Sequence, residues 1–232
     1  MKDNYEIVDF FPSALEKKST VSDEFYAPYG AQVFNLHPKL FWIAKRAFDI
    51  GMSLVLLPLL VVISVMVAVL NPFFNKGPLL FLQTRMGRGC HPFTAVKFRS
   101  MRKATKIERG PNDPLETNRI TSLGHFLRQS RIDELPQILN VLTGEMSLIG
   151  PRPDYYDHAV TFVKTIPRYA QRHQIRPGIS GLAQTRLGYI EGIDATRHKV
   201  SCDLVYIRKA GFRMELSVFV STVLIVLNRG GR

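Results

Sequence analysis

Two adjacent carboxylates in basic surroundings are the strongest chemical feature of the sequence. Asp133 and Glu134 stand near the start of Ser130–Leu142, where Leu135, Ile138, Leu139 and Leu142 recur at helical spacing, and Arg119, Arg128 and Arg131 lie close by in the chain. One reading is structural: Ser130 with Asp133 resembles an N-capping pair, and acids suit the positive end of a helix. The other is catalytic. Neighbours on a helix point about 100° apart, so one carboxylate is free to attack phosphorus while its neighbour holds a metal or a proton. Spacing alone leaves both readings open.

Cations suited to phosphate recur on either side. In Phe93–Met101, which reads as a strand, two-residue alternation puts Lys97 and Arg99 on one face, able to hold a diphosphate or simply to line a solvated edge. Gly150-Pro151-Arg152-Pro153 fixes an arginine between two prolines, and Arg176 precedes the rigid turn Pro177-Gly178. A guanidinium grips phosphate oxygens through two parallel hydrogen bonds, and stiff neighbours lower the entropy lost in holding it. As isolated features these are also ordinary turns.

Other chemistries are poorly served. Gly87-Arg88-Gly89 is not a dinucleotide fingerprint, because Pro92 takes the place of its third glycine. No phosphate-binding Walker loop and no HExxH is present, and the six histidines lack metal-ligand spacing. Cys90 and Cys202 stand far apart without a CxxC, which argues against a disulfide framework or a zinc ribbon and for a reducing compartment. The 232 residues carry 31 Lys and Arg against 19 Asp and Glu, a net +12 with 46% hydrophobic residues. That composition excludes global disorder and predicts anionic partners: nucleic acid, lipid headgroups or phosphorylated substrates. The charge is uneven, since residues 1–40 hold four lysines against six acids. This acidic, proline-containing leader reads as irregular and is no signal peptide.

The elements that must carry the site are set by a membrane signature. Ile50 to Asn75 runs without a charge, longer than the roughly 20 residues that cross a bilayer as a helix. Lys45 and Arg46 precede it and Lys76, Arg85 and Arg88 follow, so both flanks carry the mark of the cytoplasmic side. Two shapes compete: a straight helix spans, while Pro58, which removes a backbone donor, licenses a bend and a re-entrant path. Leu216–Leu227 is a second apolar run, too short to span, and is either a core helix or an interfacial one. Between the two, Leu79–Arg85 and Phe93–Met101 read as a β-hairpin.

Taken together, KFRSM (Lys97–Met101), RIDELPQ (Arg131–Gln137), LIGPRP (Leu148–Pro153) and RPGISGLAQ (Arg176–Gln184) resemble, in order, the bacterial sugar transferases, the monotopic polyprenyl-phosphate phosphoglycosyl transferases of exopolysaccharide and glycoconjugate assembly. The resemblance runs from about Lys45 to Arg229. It implies transfer of a sugar-1-phosphate from a nucleotide-activated sugar, expected to be a UDP-sugar, to undecaprenyl phosphate with Mg2+. Asp133 is then the nucleophile that forms a phosphosugar adduct and a Mg2+ ligand, with Glu134 its catalytic partner. Lys97, Arg128, Arg152 and Arg176 match basic positions for phosphate or nucleotide, and Asp203 matches an acidic position near the site. Two departures stand out: Leu57-Pro58 where the family commonly has Ser-Pro at its helix break, and Leu182 where tryptophan is frequent.

The expected architecture is an α+β monotopic membrane domain: an irregular leader (1–40), a re-entrant membrane helix broken at Pro58 (41–78), and a catalytic domain (79–232) with a β-hairpin and amphipathic interfacial helices. It is expected on the cytoplasmic face of the bacterial inner membrane, in contact with anionic lipid and not nucleic acid, and it is compatible with a homodimer. Two rivals make different predictions. A non-catalytic basic peripheral protein releases no nucleotide, and a glycosyltransferase releases nucleoside diphosphate.

Overall fold

A computed structural model describes residues 37–102, 110, 116–188 and 192–228; the expectation for the leader falls almost wholly outside them. The first element is α1, Lys39–Phe74. Its buried residues, Phe41, Lys45, Asp49, Ser53, Leu60, Val67 and Asn71, fall at intervals of four and seven. That spacing is one helical face, and it keeps its phase across Pro58. The helix continues without interruption through Pro58, where the sequence suggested a break. A proline deletes a single rung of the ladder, and turns packed on both sides carry the helix past it.

Only 17% of the most apolar 18-residue stretch of α1 is buried, so it is not the core helix of a soluble domain. Its inward stripe is tied down along its whole length. At the start, Lys45 pairs with Glu215 at 2.6 Å, and Arg46 donates to the carbonyls of Val141 and Leu142. Asp49 accepts from Ser147 Oγ at 2.7 Å and from the Leu148 amide at 3.2 Å. In the middle, Leu60 and Val67 join a core with Phe98, Leu123, Leu127 and Ile138. At the end, Asn71 Nδ2 donates to Gly77 O and Asn75 Nδ2 to Arg99 O, both at 2.7 Å.

The hairpin forms where expected: β1 (Leu80–Met86) pairs antiparallel with β2 (Pro92–Phe98), Leu80 opposite Phe98 and Met86 opposite Pro92. Beyond it Met101 makes only an isolated bridge to Ile120. The outer edge of β2 is closed by Asn140, whose amide donates to Thr94 O while its oxygen accepts from the Val96 amide.

Ser130–Leu142 is not the single helix its periodicity suggested. Helix α2 (Ser122–Gln129) ends at Ser130, whose hydroxyl donates back to the carbonyls of Phe126 and Leu127. Arg131 then takes a left-handed conformation (φ 58°), Ile132–Gln137 forms a 3-10 turn, and α3 (Ile138–Thr143) follows. Pro136 has no amide to offer the ladder, which favours the tighter turn there. Two short parallel strands come next, β3 (Ser147–Ile149) and β4 (Gly178–Ser180). They meet so closely that a Cβ on Gly178 would lie 2.1 Å from the Gly150 nitrogen. Between and after them lie α4 (Tyr156–Thr165), α5 (Leu182–Leu187), α6 (Ile193–Arg208) and α7 (Phe212–Leu227). The architecture is α+β and mostly helical, as expected in class.

The apolar run near the C-terminus is not a core helix. Val218 is the only buried residue of α7. Its polar groups turn inward: Glu215 accepts from Lys45 and Tyr206, and Thr222 bonds Ser180 at 2.6 Å. Phe212, Leu216, Val220, Leu224 and Leu227 face outward.

Candidate active site

The 3-10 turn of Ile132–Gln137 packs against β2, and this brings the two carboxylates to Lys97. The pair does not share one environment. Glu134 collects cations: Lys97 Nζ at 2.6 Å from Oε1, a two-pronged grip by Arg152 with Nη1 at 2.9 Å from Oε2, and Arg131 at 3.8 Å. These hold its carboxyl well below the usual carboxylate range, outweighing the burial that acts to raise it.

Asp133 is only 9% exposed, and its Oδ1 is buried without a hydrogen-bond partner. Burial and the neighbouring Glu134 charge push its carboxyl up to about 6, while Lys97, Arg128 and Arg152 restrain the rise. No side chain caps this turn, so the capping reading of Ser130 and Asp133 fails. A buried carboxylate that is poised near neutrality and aimed at no protein donor is a candidate for attack on a ligand atom. Burial also pulls Lys97 down to about 8, with Glu134 opposing that shift.

Arg128, in the last turn of α2, contacts Met101 Sδ at 3.6 Å and lies within electrostatic reach of Asp133. Arg152 projects from a loop held almost atom by atom. Its flanking prolines have no amides, and successive carbonyls each receive a donor. Pro151 O takes the Gly178 amide, Arg152 O takes Arg172 Nη2, Pro153 O takes Arg85 Nη1, and Asp154 O takes the Met86 amide, at 2.9, 2.7, 2.5 and 3.1 Å.

Of the expected site residues, the structure therefore gathers Asp133, Glu134, Lys97, Arg128 and Arg152. It does not bring Arg176 or Asp203 to them. Arg176 Nε donates to Gly144 O at 2.7 Å, just past α3, and the side chain lines a recess with Trp42, Arg46 and Arg88. Asp203 is buried on α6 and bound to Arg172. Arg99, the other cation on the Lys97 face, lies against Gly77. Sequence reasoning passed over Arg172, Asp154, Tyr169 and Lys199, which form one bonded set behind Arg152, with Arg172 and Tyr169 buried and Asp154 and Lys199 half-buried. Nothing local marks Arg172, set in Tyr169-Ala170-Gln171-Arg172, as other than a solvated charge.

Mg2+, which the resemblance implies, can be tested against these groups. Among the described residues no cluster of three or more His, Cys, Asp or Glu is positioned to hold a metal. Mg2+ at nucleotide sites takes one or two carboxylates and completes its shell with phosphate and water. The unpartnered Asp133 oxygen fits that minimal role, whereas Glu134 is already engaged by cations.

Comparison with known proteins identifies the family. Residues 40–229 match the family described as bacterial sugar transferase. The chain is 38% identical over 187 residues to the UDP-N-acetylgalactosamine-undecaprenyl-phosphate N-acetylgalactosaminephosphotransferase of Aeromonas hydrophila, covering 81% of this chain but 44% of that protein. It is 39% identical to the exopolysaccharide production protein PSS of Rhizobium leguminosarum bv. phaseoli, covering 81% of this chain and 97% of the relative. With the UDP-glucose:undecaprenyl-phosphate glucose-1-phosphate transferase of Escherichia coli K12 the identity is 36%, over 77% of this chain and 39% of that protein. The chain thus spans less than half the length of two of these relatives and nearly all of the third. It belongs to the bacterial sugar transferase family.

Proposed function

We propose that this protein is a phosphoglycosyl transferase that moves a sugar-1-phosphate from a UDP-sugar to undecaprenyl phosphate, starting exopolysaccharide synthesis. The observation that carries the reading is the unequal carboxylate pair: one oxygen of Asp133 enclosed and unpartnered, beside a Glu134 fixed by Lys97 and Arg152. The names of the relatives supply the donor and acceptor classes.

In the proposed cycle an Asp133 oxygen attacks the sugar-linked phosphorus of the donor. A new P–O bond forms, the bond to the departing phosphate breaks, and UMP leaves with the electron pair. A phosphate oxygen of undecaprenyl phosphate then attacks the same phosphorus, and the Asp133 carboxylate is regenerated. With its carboxyl at about 6, Asp133 is mostly ionised at neutral pH, as a nucleophile must be. Glu134 is too firmly paired to exchange protons in this cycle, so its work is to hold Lys97 and Arg152 against the reacting phosphates. Those two cations, with Arg128, offset the repulsion between a carboxylate and an anionic diphosphate. Bound Mg2+, ligated by Asp133, would neutralise further phosphate charge.

The membrane arrangement supports a lipid-linked acceptor. Both ends of α1 are bonded to the same domain, through Asp49 to Ser147 and through Asn75 to Arg99. A domain lying on one side of a bilayer reaches both ends only when they lie on that side, which argues against a full span, and an unbroken α1 packed through Leu60 and Val67 meets that condition by lying along the domain. The basic flanks support the cytoplasm as that side. The outward apolar stripe of α7 then lies in the interface.

The leaving nucleotide tests the proposal. Purified protein with Mg2+, undecaprenyl phosphate and a panel of UDP-sugars is expected to release UMP with at least one donor. Release of UDP would instead mark a glycosyltransferase, and no release with any donor a binding protein.

A further inference from the structure

Behind the active site lies an ionic cluster that no step of the cycle uses, buried at Arg172 and Asp203 and half-buried at Asp154 and Lys199. Arg172 is fully enclosed. Its Nε donates to Asp203 Oδ2 at 2.8 Å, its Nη1 to Asp154, and its Nη2 to the carbonyl oxygen of Arg152 at 2.7 Å. Asp154 also accepts from Tyr169 Oη at 2.6 Å and from Lys199. Two cations and two carboxylates balance, with the Tyr169 ring 5.2 Å beneath the guanidinium. Apolar replacement of a buried ionic set is often neutral or stabilising, so such a set is weak evidence for stability, and what it holds in place is the question to ask of it.

What it fixes is the backbone that bears Arg152. Four successive carbonyls from Pro151 to Asp154 are each bound, and two of the four donors are guanidinium groups, Arg85 and Arg172. Arg172 grips the loop twice, at the Arg152 carbonyl and at the Asp154 carboxylate. We infer that Arg172, held by Asp203 and Asp154, is a positioning residue that sets where the Arg152 guanidinium meets Glu134 and the reacting phosphate. Asp203 accordingly acts on the reaction through Arg172 and Arg152 and not by touching substrate. An arginine displaced by about 1 Å forfeits much of its stabilisation of the reacting phosphate, because that stabilisation depends on preorganised geometry.

The inference rests on the phosphate-holding role proposed above for Arg152, and its test separates the two. Arg172→Lys keeps the charge but not the three-directional fork, and Asp203→Asn loosens the same group with less disturbance. Each is made in the full chain with and without Arg152→Lys, and UMP release is measured together with hydrogen exchange. In the otherwise wild-type chain, Arg172→Lys should lower kcat by about tenfold, the size of an ordinary coupling between contacting residues. With Arg152→Lys present, the same change should lower kcat by no more than about twofold. The amides of Gly178 and Met86, which bond the loop, should lose protection selectively, while that of Val96 on the far edge of the hairpin keeps it.

Equal losses in both backgrounds, or unchanged protection at Gly178 and Met86, would overturn the inference. If Arg172→Lys does not fold, Asp203→Asn decides by the same two criteria. A wild-type chain that releases no UMP would refute the proposed function, and the exchange data would still show whether Arg172 holds the loop.

Discussion

Replacing Asp133 by Asn should make the protein more stable at neutral pH while abolishing its chemistry. The carboxyl is pushed from 3.8 to about 6 by burial and by Glu134. Well below 3.8, at about pH 2, it is protonated in the folded and unfolded chains alike. Asn, neutral and of nearly the same shape, then gains nothing from the change in charge. Between 3.8 and about 6 the unfolded chain releases its proton first, so stability present below the unfolded value is lost as pH rises through the folded one. A shift of about two units corresponds to roughly 3 kcal/mol, which the wild type lacks above about pH 7 and the Asp133→Asn chain recovers. For a domain of this size that is roughly 6–12 °C in Tm. The assay is thermal unfolding of both chains from acid to neutral pH, read as the pH-dependent part of their difference, so that any constant effect of the amide cancels. A Tm difference that does not grow between about pH 4 and pH 7 would show that Asp133 is not held against its burial.

Three further expectations follow from the same contacts. Arg152→Lys keeps the charge but loses the two-pronged hold on Glu134, and should lower turnover by about tenfold or more with little loss of folding, as measured by UMP release and circular dichroism. Turnover should fall again on the alkaline side near pH 8, as Lys97 loses its proton and Glu134 one of its partners, giving a bell-shaped rate profile with its acid limb near 6. Because both ends of α1 are bonded to one domain, cysteines at Lys39 and Lys76 should both resist a membrane-impermeant thiol reagent in intact cells, and outside labelling of either would contradict the placement of both ends on one side.

What could be read in the sequence was local or motif-borne. The alternation of Phe93–Met101 found the hairpin and the uncharged run found α1, but alternation alone left open whether the Lys97 face was a solvated edge or an anion site. The order of the motifs brought Asp133, Glu134, Lys97 and Arg152 together before any geometry was known. The misreadings have physical causes. The apolar spacing of Leu135, Ile138, Leu139 and Leu142 is shared by a 3-10 turn running into a short helix, so periodicity could not reveal the left-handed Arg131 or the kink it makes. Pro58 signalled a break, but packing on both sides outweighs one missing hydrogen bond. Arg172 was illegible because its partners lie up to 31 residues away in the chain and arrive only when α6 and the Arg152 loop have packed. Arg176 and Asp203 match family positions in sequence, yet in the structure they bond other groups, Gly144 O and Arg172.

The central claim is that Asp133 becomes covalently attached to the phosphosugar. Mass spectrometry of the wild-type chain mixed with UDP-sugar and Mg2+, without undecaprenyl phosphate, tests it directly. An added sugar-phosphate mass on the peptide containing Asp133 is expected, absent from Asp133→Asn and discharged when undecaprenyl phosphate is supplied. UMP release at the wild-type rate by Asp133→Asn, or an adduct mapping to another residue, would contradict the account.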